Sequence, residues 1–257
     1  MAKKWSKLPR EDVYTLDVAA LKKSWARLHR GDNESLPKAA PVLDAWRHFH
    51  EGDFSRAVEV GRAAGGGGIT AAIKAQAIYA HYLEKANKDK LALFEEAADL
   101  ADARRKQAPA DANAHYLYAY ALGRYSQGIS VTNALAQGYG GKIKDALLTA
   151  LRLDGKHAEA HTAYGAYQAE VIDKVGGTVA GMTYGAKKDS ALEYFERAVA
   201  LFPESAIARI EYANGLIRLF GKRKLDEAQA LYEAAAAMMP MDAMEHLDVE
   251  LAKSELA

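Results

Sequence analysis

Apolar residues recur at three- and four-residue intervals along almost the whole chain, the spacing that gathers them on one face of a helix. No stretch alternates in the manner of a strand. Val13, Leu16, Ala20, Leu21, Trp25 and Leu28 form the stripe of a first helix, about residues 10–30, which Gly31-Asp32-Asn33 ends. Pro41 suits the first turn of the next helix. Trp46 and Phe49 share a face of that helix, which breaks at Gly52-Asp53, and Ala57, Gly61 and Ala64 give its successor a small-residue rhythm. The run Gly65–Gly68 is too costly in backbone entropy for a helix interior and reads as a flexible joint.

The same patterning continues as helical hairpins. A second hairpin runs from about residue 70 to 107, turning near Asn87-Lys88-Asp89, with Pro109 marking its end. A third opens after Asp111, an expected N-cap, goes out through His115–Leu122 and returns through Ile143–Leu151. The fourth goes out through His161–Gly165 and returns through Phe195; the fifth starts at the expected cap Ser205 and returns through Tyr232. Asp242-Ala243-Met244-Glu245 has capping-box spacing and opens a last helix with the stripe Met244, Leu247, Leu251. Such a one-sided helix can end a hydrophobic stack in water.

Two return helices share one phrase. Ala191, Phe195, Ala198 and Pro203 follow A-x3-[FY]-x2-A-x4-P, and Ala228, Tyr232, Ala235 and Pro240 repeat it 37 residues later. Ile143, Leu147, Ala150 and Gly155 match in part. These residues resemble the tetratricopeptide repeat, over about residues 38–256 and most specifically over 110–256; residues 1–36 fall outside. The resemblance implies an all-α, right-handed α-α superhelix, a TPR-like solenoid of about five hairpins (38–64, 70–107, 111–154, 157–202, 205–239) with a capping helix at 242–256. In such repeats alanines let paired helices approach, the aromatic ring wedges between hairpins and proline stops the second helix. The long stretches at 123–142 and 171–187 depart from the usual repeat. So do three aromatic–glycine–lysine turns: Tyr139-Gly140-Gly141-Lys142, Tyr184-Gly185-Ala186-Lys187 and Phe220-Gly221-Lys222. Extended hairpins of this kind are similar to the helical-repeat lipoproteins of bacterial tripartite periplasmic transporters and to the repeat domain of microtubule-dynamics regulators.

Composition narrows the function classes. Half of the 257 residues are hydrophobic, enough for a sizeable core. Lys+Arg and Asp+Glu both number 34, so no overall field draws the chain to nucleic acid. The absence of cysteine excludes disulfides, thiolate metal sites and thiol catalysis, and a lipoprotein anchor, which needs a cysteine, is not expected. The lysines at 3, 4 and 7 precede no apolar core, and no stretch reaches transmembrane length, so a cytoplasmic protein without a membrane span is expected.

The candidate chemistry is thin. His157 and His161 share a helical face, as zinc ligands can, but no third ligand accompanies them. Gly141-Lys142 imitates the end of a P-loop, yet Ala136 and Ile143 stand where Gly and Ser/Thr are needed. No catalytic residue, metal site or cofactor is assigned. The aromatic–glycine–lysine turns read as helix C-caps; alternatively the apolar insertions around them, with Tyr139, Met182 and Tyr184, form flaps over a pocket, or pack only against each other. Lys222-Arg223-Lys224 reads as a solvated basic cluster.

The resemblance places ligand-facing positions on the outgoing helices: Asn113, Tyr116, Tyr120 and Arg124; then Glu159, Thr162, Ala166 and Glu170; then Ile207, Ile210, Asn214 and Arg218. Asn214 and Arg218 are a fragment of the pattern that grips a peptide carboxylate. The expected function is a non-catalytic scaffold binding a protein or peptide segment in its groove. A carrier of a small apolar ligand is the alternative, and self-association is left open.

Overall fold

The structure, a computed structural model, describes residues 5, 6, 8 and 14–257; among these, helices and short connections account for everything and no strand occurs. Val13 and the lysines at 3, 4 and 7 lie outside the described residues. Helix α1 (Val18–Leu28) starts later than the sequence stripe suggests. Asp17 caps it by accepting the Ala20 N–H at 2.7 Å, and Leu16 donates its N–H to Glu51 instead of entering a helix. The chain divides into two compact units.

The first unit comprises residues 1–29, 34–139 and 241–244. Its hairpins are α2 (Ala40–Glu51) with α3 (Phe54–Ala64), then α4 (Gly67–Tyr82) with α5 (Asn87–Gln107), then α6 (Ala112–Gln127), followed by the short α7 (Val131–Ala136). Trp25, Trp46, Phe49, Phe54, Tyr79 and Phe94 are among its large buried rings. Gly52 takes φ 85° to end α2, a region open to glycine at little cost. The glycine run behaves differently from the expected flexible joint. Gly65 and Gly66 turn the chain at positive φ, but Gly67 and Gly68 already belong to α4. A Cβ on Gly61 would lie 2.4 Å from the Gly68 carbonyl oxygen, so these glycines allow α3 and α4 to touch backbone to backbone. The turn of the second hairpin also comes earlier than expected, since Asn87 already opens α5.

The second unit comprises residues 30–33, 140–240 and 245–257. It contains most of α8 (Tyr139–Leu153), then α9 (Ala158–Val175), a single turn α10 (Gly177–Val179) continued by a π-helical turn over Ala180–Tyr184, and α11 (Lys188–Leu201). α12 (Ala206–Phe220), a 3-10 turn over Gly221–Lys224, α13 (Leu225–Ala236) and most of α14 (Ala243–Glu255) complete it. The repeated phrase forms its core: Ala191, Phe195, Ala198, Ala228, Tyr232 and Ala235 are all buried. Phe195 sits between glycines of two helices, for a Cβ on Gly165 of α9 would lie 3.0 Å from its ring and one on Gly215 of α12 would lie 2.4 Å away. Tyr212 stacks on the same ring at 5.3 Å. α14 adds Val249 and Ala252 to the core around Tyr232, on the side away from its exposed Glu250 and Lys253.

Candidate functional site

The outgoing helices α6, α9 and α12 begin alike. Asp111, His157 and Ser205 cap them, each side chain accepting the N–H three residues on, from Ala114, Ala160 and Ala208. Four residues after each cap, a cationic or imidazole side chain reaches back to the carbonyl six positions earlier: His115 Nε2 donates to Pro109 O, His161 Nε2 to Gly155 O and Arg209 to Pro203 O. The helical pair His157 and His161 is thereby used in the entry turn, with His157 Nδ1 accepting the Ala160 N–H at 3.1 Å. Burial pushes the His161 pKa down and favours its neutral ring. Among the described residues no group of His, Asp and Glu is arranged to hold a metal ion.

On α6 the ligand-facing positions form a ladder. Tyr116 and Tyr120 have ring centroids 6.1 Å apart, and the Arg124 guanidinium lies over Tyr120 at 5.4 Å. Asn113 at the start of the ladder is buried and donates to the Glu34 carboxylate at 2.8 Å. His81 is half-buried beside this surface; desolvation first, then the positive charges of Arg124 and Lys90, hold its pKa well below the usual histidine value. Tyr116 is buried, and Tyr120 and Arg124 are half-buried, with Tyr120 packed against Ala77, Ala80 and Phe94. The outer end of the ladder is therefore a half-buried phenol ring under a cation, chemistry that suits amide groups and carboxylates.

The second unit treats its predicted positions differently. Thr162 is buried and its hydroxyl donates to Ala158 O within its own helix. Asn214 accepts the Tyr232 hydroxyl at 2.6 Å, so the amide is held by the core. Arg218 is exposed, 3.9 Å from Glu170, which also pairs with Lys174 at 2.5 Å. Ile210 is buried, and Ala166 and Ile207 are half-buried. Among these positions Arg218 alone combines exposure with a charge.

A family model, Regulator of microtubule dynamics protein 1-3, matches residues 71–255, which is most of the chain. The chain belongs to this family. A solved thermophilic TPR protein of Thermus thermophilus is similar over 83% of this chain and 97% of its own, at 17% identity and a TM-score of 0.57. The fold class is thus all-α and TPR-like, as the repeated phrase implied. No curated protein matches the chain.

In this member of the regulator family the two long insertions keep apolar side chains in solvent. α7 exposes Val131 and Leu135, and the segment after α9 exposes Val179 and Met182, the last at 85%. Tyr139, in the first unit, packs edge-on to Tyr125, whereas Tyr184, in the second, lies against Gly140. No helix among the described residues is long and apolar enough to cross a membrane.

Two arrangements in the first unit carry no sequence signal. Trp5 stacks on Tyr79 at 4.0 Å and Ser6 donates its N–H to the Tyr79 hydroxyl, so these residues cover part of α4, an outgoing helix. His50 donates from Nδ1 to Asp242 at 2.6 Å, and its Nε2 is 3.1 Å from Nε2 of His29. Trp25 stacks on His29 at 4.0 Å and Trp46 meets it edge-on. Partners 21 and 192 positions apart leave no local pattern to find.

Proposed function

We propose that this chain is a non-catalytic scaffold that holds a protein segment against an outgoing-helix face of its repeats, and that it works in the cytoplasm. The observation that supports this most is the Tyr116–Tyr120–Arg124 ladder on α6, where flat aromatic area and a placed guanidinium meet. Aromatic residues and arginine are the groups that concentrate binding energy at protein interfaces. The fold class also favours binding over catalysis, since stacked repeats build extended surfaces. The family's description concerns microtubule dynamics, and assembled microtubules are therefore the first partner to test. A small-molecule carrier is not favoured, because the insertions that would close over the ligand leave their apolar side chains exposed.

The test is co-sedimentation of the purified chain with microtubules, beside the variant Tyr120→Ala/Arg124→Ala. Asn214 is a poor test position because its loss would strand the Tyr232 hydroxyl. Binding that the variant loses while keeping its helicity supports the reading. A chain that stays in the supernatant removes microtubules as the partner, and equal binding by the variant removes the α6 face. Cell fractionation tests the location.

A further inference from the structure

The three aromatic–glycine–lysine turns are not explained by the α6 face. The first forms the opening turn of the return helix α8, the other two precede the return helices α11 and α13, and contacts within the second unit set them side by side. A Cβ on Gly140 would lie 2.9 Å from Tyr184 Cε1, and one on Gly185 would lie 3.6 Å from Lys144 Nζ, so the first turn abuts the second. Lys188 donates to Leu219 O at 2.6 Å and lies over the Phe220 ring at 5.0 Å, so the second abuts the third. The result is a continuous edge bearing Lys142, Lys144, Lys187, Lys188, Lys222, Arg223 and Lys224. It belongs to a chain whose formal net charge is zero.

Four of the charges on this edge have no opposite charge beside them among the described residues. Lys187, Lys222 and Arg223 are exposed, and with Lys144 they make no ion pair among the described residues. Lys224 pairs with Glu227, and Lys188 serves the end of α12. Behind the middle turn, Gln168 accepts the Lys187 N–H at Oε1, while its buried Nε2 has no hydrogen-bond partner among the described residues. The buried Tyr167 hydroxyl, which senses Tyr184 and Asp145, has none either. Buried donors of this kind are ordinarily satisfied, by a protein group or an ordered water.

We infer that this edge is a second interaction surface, which receives an acidic segment of a protein partner along the three turns. A polypeptide fits better than an anionic membrane or nucleic acid. Asp145, Asp189, Asp226 and Glu227 follow the cations in sequence, and a uniformly anionic surface would meet these carboxylates as well. A peptide can set its acidic residues against the lysines and its neutral ones against the aspartates, and patterned complementarity of that kind gives specificity. The inference rests on the chain being a protein-binding scaffold, but not on α6 being its site.

The test is fluorescence anisotropy with a labelled glutamate-rich peptide, using the full chain, the variant Lys187→Glu/Lys222→Glu/Arg223→Glu and the variant Tyr120→Ala/Arg124→Ala. Circular dichroism of each variant monitors folding. Phosphatidylserine vesicles are run in parallel. The expected result is salt-sensitive peptide binding that weakens about tenfold or more in the triple variant, from three surface pairings each turned repulsive, and is unchanged in the α6 variant. No peptide binding by the full chain, or equal binding by the triple variant, overturns the inference. Vesicle binding without peptide binding overturns it in favour of a membrane surface. Peptide binding lost in the α6 variant and kept by the triple variant overturns the inference in favour of the α6 face, while failure of the α6 face as the microtubule site appears only in the co-sedimentation assay.

Discussion

Phe195 of α11 occupies the space that a side chain at residue 215 of α12 would need: a Cβ on Gly215 would fall 2.4 Å from ring atom Cε2. The ring is fully buried and also closes on Gly165 at 3.0 Å, so it has no free direction in which to move. Gly215→Ala is therefore expected to destabilise the second unit by about 1–3 kcal/mol through overpacking. Gly123, mid-helix in α6, would place its Cβ in open space. Gly123→Ala is expected to stabilise by up to about 1 kcal/mol. Urea midpoints of the two variants, moving in opposite directions, check the pair.

The entry turns give a second expectation. His157 is fully buried and caps α9 through Nδ1, whereas Ser205 caps α12 from a position at the edge of burial. Ser205→Ala should cost about 1 kcal/mol, the ordinary loss of an N-cap. His157→Ala should cost about 1–3 kcal/mol, because a buried ring is lost together with the cap. Thermal unfolding of both variants provides the comparison. A His157→Ala variant as stable as the parent would remove the cap as the role of this residue.

Two phenols predict alkaline behaviour. Burial first, and neighbouring carboxylates second, push Tyr212 and Tyr232 from the ordinary 10.0 up to about 12. The folded state thus holds these protons more tightly than the unfolded chain. Their contribution to stability is complete below pH 10 and is lost as the pH rises toward about 12. Unfolding midpoints measured across that range should fall, with phenolate absorbance rising in step. Tyr232→Phe should flatten part of the fall and cost about 1 kcal/mol at neutral pH, from the lost bond to Asn214.

The His50–Asp242 contact predicts coupling between distant positions. Both groups are buried, 2.6 Å apart. Asp242→Ala should destabilise the first unit by about 1–3 kcal/mol by leaving the His50 N–H unsatisfied. Combined with His50→Ala, the effects should fail to add by about 0.5–3 kcal/mol. A double-mutant cycle that is strictly additive would contradict the contact.

The sequence by itself determined most of the helices and the caps at Asp111 and Ser205, because these are written in local spacing, and its repeated phrase carried the resemblance that implied how the phrase packs. Asp111 and Ser205 cap where their positions suggested, and Phe195 wedges as the tetratricopeptide resemblance implied. Local spacing also exposed the aromatic–glycine–lysine turns without saying that they adjoin. What tertiary structure decided is which polar groups remain available. The resemblance set Asn113 and Asn214 at ligand-facing positions, and Glu34 and Tyr232, brought from 79 and 18 positions away, hydrogen-bond their amides. Gly67 and Gly68 entered a helix despite their entropic cost, and at Gly68 α3 passes too close for any side chain. The joining of His29, His50 and Asp242 likewise had no sequence trace. A helix announces its buried stripe through periodicity, whereas a hydrogen bond between elements depends on where the chain returns, and that is fixed only when the hairpins pack.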